Sequence, residues 1–234
     1  MARKAEFSEL GLRPISEISG RKSLGQFVFE TLKQAIVLGE ISPGKRLVES
    51  RIADLLDISR TPVREAIHKL EREGFVARRP RGGFVVRGLE REDIEETFGI
   101  RAVLESYAAR LAALNHRPEE LRTLENKIDE YQLCMDRGQM DELPRINTEF
   151  HDVLYALSRS PRLIKMINDL KDQIFRFRQI ILKRERFART SNQDHRQMLT
   201  YIRRRDADMV EQLVRAHMRR GLEAVLEEYD VCEF

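Results

Sequence analysis

The chain has 234 residues, 35% of them charged and 7% aromatic, with no Trp and a formal net charge of +3. No run approaches about 18 apolar residues and the first residues lack an apolar signal core, which excludes a membrane-spanning helix or secretion signal and implies a cytoplasmic protein with no membrane partner. Two cysteines, Cys134 and Cys232, stand far apart in no pairing motif, in keeping with a reducing compartment.

Residues 1–22 are polar, carry Arg13-Pro14 and Gly20-Arg21-Lys22, and read as a flexible N-terminal arm with Phe7 and Leu10 as its anchors. From Ser23 the positions Leu24, Phe27, Val28, Leu32, Ala35 and Ile36 recur at helical spacing, and Gly39 stops the run. Ser42-Pro43-Gly44-Lys45 is a turn, and Leu47-Val48 a short strand candidate. Ile52, Ala53, Leu55 and Leu56 form the next apolar stripe, with Glu49, Arg51 and Asp54 opposite. Asp57-Ile58-Ser59 breaks it. A further helix begins at about Ser59 or Thr61, either of which can cap free backbone N–H groups, with Pro62 suited to a first turn. It buries Val63, Ala66, Ile67 and Leu70 and ends at Gly74. Phe75-Val76-Ala77 and Phe84-Val85-Val86 then read as strands around Arg78-Arg79-Pro80-Arg81-Gly82-Gly83. Residues 23–88 are therefore expected to form a winged helix-turn-helix.

From residue 89 to 234 helical segments follow one another: 93–114, 118–136, 141–157, 163 to about 185, 191–205 and 206–229. The expected fold class is mainly α, a winged helix-turn-helix with a small β wing followed by an all-α helical bundle.

A recognition helix enters the major groove by its N-terminal end, where arginine forks onto guanine or phosphate. Arg60 and Arg64, four apart, share one face at that end with Thr61 between them. Arg51 is placed to reach the backbone, and Arg81 and Gly82 form a small wing tip suited to the minor groove. The front of the chain, residues 1–90, holds 17 Lys and Arg against 12 Asp and Glu, whereas residues 91–234 hold 25 against 27. The front is the half that tolerates a polyanion. The run SRTPVREAIHKLEREGFVARRPRGGFVV, preceded by PGKRLVESRIADLL, resembles the GntR family of bacterial transcription regulators. That resemblance, over roughly residues 23–88, implies DNA contacts at the same Arg51, Arg60, Arg64 and Arg81-Gly82.

A second constellation lies in the helical half. Asn147 and His151 are four apart on a helix whose neighbouring positions Ile146, Phe150, Leu154 and Leu157 are apolar. His195 precedes Met198, Leu199 and Ile202, and His217 sits between Leu213-Val214 and Met218. Three imidazoles and one oxygen donor suit zinc, nickel or manganese, but a histidine on an apolar face is also an ordinary core residue, and spacing leaves both readings open. His68 and His116 read as an exposed helix position and a helix end, and Arg203-Arg204-Arg205 as a solvated helix end.

The helical half resembles the FCD effector domain of the FadR branch of GntR regulators, on Arg101-x-x-Leu104-Glu105-x-x-Ala108-Ala109, Asn147-x-x-Phe150-His151, Asp194-His195 and His217. The resemblance implies a divalent metal on an acidic residue and three histidines, with Arg101 binding a small carboxylate effector. This chain departs from the pattern by placing Asn147 where the family often has Asp. An amide oxygen ligates without charge, so the histidines would hold a metal less tightly or meet an organic anion directly. Arg101 could equally serve as an ion pair with Glu105. The expectation is a non-enzymatic regulator, in the manner of a repressor, that binds a palindromic double-stranded operator as a homodimer. Two alternatives stay open: a metal-free apolar or acyl pocket, and a metal-dependent hydrolase.

Overall fold

The computed structural model describes residues 23–231 apart from 81, 89 and 183, and the side chains of these except at 172–180 and 231. The N-terminal arm with Phe7 and Leu10, the wing residue Arg81 and Cys232 lie outside the described residues. The chain divides into two compact units, with the division between residues 89 and 90.

In the first unit, helix α1 (Leu24–Val37) is capped by Ser23, whose hydroxyl accepts from the Gln26 N–H at 3.2 Å. Strand β1 (Arg46–Leu47) precedes α2 (Glu49–Leu56) and α3 (Arg60–Arg72). Strands β2 (Val76–Arg78) and β3 (Phe84–Val86) form the wing. The sheet is antiparallel in the order β1-β3-β2, with Leu47 opposite Phe84 and Val76 opposite Val86. The α2–α3 turn is made by Asp57 at φ +57°, a left-handed position that Asp tolerates better than most residues. Ile52, Val63, Ile67, Leu70, Val76, Phe84 and Val86 meet the buried face of α1 in one core, each large side chain contributing about 1.5–3 kcal/mol by leaving water.

Several local readings shift. Leu24 is exposed, and Phe29 takes the core place expected of it. Val48 precedes α2 as its N-cap instead of extending β1, and β2 starts at Val76, one residue after Phe75. Ser59 caps α3 by position, but its side chain makes no capping hydrogen bond.

The second unit comprises α4 (Arg91–Asn115), α5 (Leu121–Asp136), α6 (Leu143–Ala156), α7 (Pro161–Ile181), α8 (Glu185–Arg203) and α9 (Ala207–Val231). Short 3₁₀ turns at Pro118–Glu120 and Met140–Glu142 lead into α5 and α6. Helix α4 runs along α9, and buried Ala108, Ala109, Ala112 and Ala113 give it a thin inner face. Gly221 on α9 completes the close approach: a Cβ there would lie 3.3 Å from the Phe98 ring of α4. The expected break near residues 185–190 is misplaced. Helix α8 starts at Glu185, because Ala188 and Ser191 are already buried on its inner face.

The end of α4 corrects the reading of the basic run. Arg205, at φ +57° between α8 and α9, donates to the carbonyls of Leu114 at 2.6 Å and His116 at 3.1 Å. His116 is buried, and its Nδ1 lies 3.1 Å from the carbonyls of Ala112 and Ala113. A carbonyl only accepts, so Nδ1 carries the proton. Arg205 and His116 together satisfy the last carbonyls of α4, where positive charge is also favoured by the helix dipole. Arg205→Ala is expected to cost about 1–2 kcal/mol and to lower the Tm by about 2–8 °C in scanning calorimetry; an unchanged Tm would show that water replaces the cap.

Candidate nucleic-acid interface and histidine centre

Helix α3 projects its first turn from the core. Val63, Ala66, Ile67 and Leu70 fix its inner face, which leaves Arg60, Thr61 and Arg64 exposed. Arg51 is exposed on α2. The Arg64 guanidinium reaches back to α2, where its Nε and Nη2 both lie 3.1 Å from Glu49 Oε2. Sequence spacing did not anticipate this pair. An open hollow of about 290 Å³ beside it is lined by Arg46, Glu49, Ser50, Arg60, Arg78 and Gly83. The sheet register brings Arg46 and Arg78 here, a signal visible only once β1, β2 and β3 are paired. Gly82 and Gly83 both take φ +82° in the wing turn, and a Cβ on Gly83 would crowd Arg46 Nε at 3.2 Å, so the turn requires glycine. His68, half-buried, packs edge-on against Phe84 and lies 3.1 Å from Glu71.

In the second unit the sequence-selected histidines converge. Helix α6 supplies Asn147 and His151 one turn apart, α8 supplies His195, and α9 supplies His217. All four are buried. The three ring centroids stand 5.2–5.4 Å from one another, and one ring nitrogen from each histidine falls within 4.8 Å of the others. Phe150 stacks on His195 with centroids 4.0 Å apart. The Asn147 amide oxygen accepts from the Ser191 hydroxyl at 3.5 Å.

Outer partners orient the rings. His217 Nδ1 lies 2.9 Å from Asp194 Oδ2, which also accepts from Arg220 at 2.5 Å. Burial alone would raise the Asp194 carboxyl, but hydrogen bonds and charge from His217 and Arg220 outweigh it and hold it below the usual range. A carboxylate only accepts, so His217 bears a proton on Nδ1, and its Nε2 is the nitrogen left to offer a lone pair to a metal. That is the state a metal ligand needs. Burial pushes the nearby Tyr131 phenol up, partly offset by Ser191. The donor set, three imidazoles and an amide oxygen with a carboxylate behind one ring, fits a divalent transition metal.

Arg101 on α4 is 1% exposed and pairs with Glu105. Among the described residues its Nε and Nη1 have no hydrogen-bond partner. It lines a cavity of about 30 Å³ with Phe98, Asn147, His217, Met218 and Gly221, room for about two water molecules. The ion pair and the cavity position, alternatives at the level of sequence, hold together. Sequence reasoning missed Tyr155, Ser191 and Arg220. Tyr155 and Arg220 stand four and three residues past His151 and His217, a helical-spacing signal that residue type alone did not raise.

A winged helix-turn-helix with arginines at the start of its exposed helix, on the same chain as a helical unit enclosing polar groups in its core, defines a DNA-binding transcription regulator with an effector domain. The chain belongs to the GntR family: residues 24–86 match the model of the bacterial regulatory proteins, gntR family, and residues 96–220 match the FCD domain. The HTH-type transcriptional regulator YdhC of Bacillus subtilis is 30% identical over 204 residues, which span 86% of this chain and 91% of that protein. The Nta operon transcriptional regulator of Aminobacter aminovorans is 31% identical over 187 residues, 79% and 86% of the two chains. Among solved structures, Escherichia coli McbR/YncC matches at TM-score 0.72 with 25% identity, over 89% of this chain and all of that one.

Proposed function

We propose that the protein is a repressor that binds a near-palindromic operator as a two-fold homodimer and responds to a small carboxylate held in the helical unit. In this reading Arg60, Thr61 and Arg64 contact the major groove, Arg51 the backbone, and Arg81 with Gly82 the minor groove. The effector sits on Arg101. The observation that carries the effector assignment is a buried guanidinium with two donor nitrogens, Nε and Nη1, unused among the described residues, on the same cavity as Asn147 and His217.

Asn147, His151, His195 and His217 would hold a divalent ion such as zinc, nickel or manganese. When bound, it supplies positive charge that favours a carboxylate at Arg101. The four donors are uncharged in their ligating forms and Arg101 is already neutralised by Glu105. An ion there would bring positive charge that only an anion could balance, which favours an acidic effector over an apolar one. Ligand changes operator affinity by favouring one arrangement of the dimer over another.

Dimerisation is supported by Ile100, Val103, Tyr107 and Leu114 on α4, each 45–53% exposed. They fall at i, i+3, i+7 and i+14 and make one apolar stripe, which a second copy would cover.

Three results test the reading. With an operator selected from random-sequence DNA, Arg60→Ala and Arg64→Ala weaken binding about tenfold or more in gel shifts while circular dichroism is unchanged; wild-type affinity in both would remove the contact assignment. Elemental analysis of untagged protein gives about one divalent metal per chain, lost in His151→Ala; a metal-free protein after reconstitution would leave the DNA reading and discard the metal. Val103→Glu with Tyr107→Glu sediments as a monomer where wild type sediments as a dimer; an unaltered dimer would place the interface elsewhere.

A further inference from the structure

Two residues outside the ligand set join its ends. Glu105 pairs through Oε1 with Arg101 Nη2, and its Oε2 accepts the hydrogen bond of the Tyr155 hydroxyl. The Tyr155 oxygen lies 3.0 Å from His151 Nδ1. Arg101, Glu105, Tyr155 and His151 are each no more than 3% exposed, so the line runs through the interior from the cavity to the histidine cluster.

The direction of each hydrogen bond follows from chemistry. A carboxylate only accepts, and the single phenolic proton goes to Glu105. The Tyr155 oxygen must therefore accept from His151 Nδ1–H, which leaves the lone pair of neutral His151 on Nε2. Charge at the Arg101 end has a defined effect on this line. The guanidinium draws negative charge on Glu105 toward itself. An anion taken up by Arg101 Nε and Nη1 weakens that hold. Glu105 then accepts more strongly from Tyr155, the phenol oxygen accepts more strongly from Nδ1–H, and Nε2 becomes a better donor. Hydrogen bonds in a line of low dielectric polarise one another in this way.

We infer that Glu105 and Tyr155 are positioning residues that form a buried relay, through which a carboxylate bound at Arg101 tightens metal binding at His151. Linkage makes the effect mutual: metal at the histidines tightens the carboxylate by the same factor. The relay rests on the metal and effector assignments proposed above.

The test measures zinc affinity by chelator competition on the full-length protein, with and without acetate, for wild type, Tyr155→Phe, Glu105→Gln and His217→Ala. Tyr155→Phe keeps the ring and removes only the hydroxyl. The expected result is that acetate tightens zinc at least fivefold in wild type. Tyr155→Phe and Glu105→Gln weaken zinc about tenfold and reduce the acetate effect to within twofold, with far-UV circular dichroism unchanged. A merely structural role would lower affinity without abolishing the acetate effect. If Glu105→Gln fails to fold, Tyr155→Phe decides alone. Zinc bound by wild type and lost in His217→Ala, with affinity and acetate effect intact in Tyr155→Phe, overturns the relay and leaves the metal reading standing. No zinc bound by wild type overturns the metal reading and the relay with it.

Discussion

Burying imidazoles is the constraint around which the helical unit is built. His151, His195 and His217 leave almost no surface to water, and polar groups out of water cost several kcal/mol unless partnered. The bundle meets this cost with partners behind the rings: Tyr155 and Glu105 behind His151, Asp194 and Arg220 behind His217, Ser191 beside His195. Each partner is itself charged or polar and must be partnered in turn, so the network reaches Arg101 on a fourth helix. The thin alanine face of α4 and the bare Cα of Gly221 let α4 and α9 approach closely enough for Arg101 and His217 to line one cavity. A bundle assembled for stability alone would fill this space with leucine. Two donor nitrogens of a buried guanidinium with no partner among the described residues are a cost, one that an anion at the proposed site would remove.

The first unit solves a different problem. Among the described residues its buried core is aliphatic and aromatic, and polar side chains lie on the rim, where α2, α3 and the wing each present arginine. Small-residue geometry sets that rim: the left-handed turn at Asp57 aims α3, and the paired positive-φ glycines fold the wing back toward Arg46.

Much of this was legible because the signals are local. The stripe Ile52, Ala53, Leu55, Leu56 and the stripe Val63, Ala66, Ile67, Leu70 are buried as spaced. Asn147 and His151 share a face because four residues make one helical turn. What escaped was decided by contacts distant in sequence. Arg205 looked solvated because the carbonyls it caps belong to residues some 90 positions earlier. The start of α8 looked like a loop because Arg186, Arg189 and Thr190 are polar, and the burial of Ala188 that holds the turn comes from neighbouring helices. Tyr155 could not be told from any core aromatic until Glu105 stood against its hydroxyl.

On the proposed set of DNA contacts, the Glu49–Arg64 pair has a kinetic consequence. A regulator searching a chromosome spends most of its encounters on the wrong sequence, held by phosphates through counterion release. An arginine already engaged by a neighbouring carboxylate is a poorer phosphate ligand. Drawing it away also leaves the Glu49 charge facing a polyanion. Only a partner that takes the guanidinium with both forks, as the guanine edge does, repays the exchange. With Arg64 in its proposed place at the major groove, the free protein holds that guanidinium on Glu49, which would shorten residence on unselected DNA more than on a site that can draw it out.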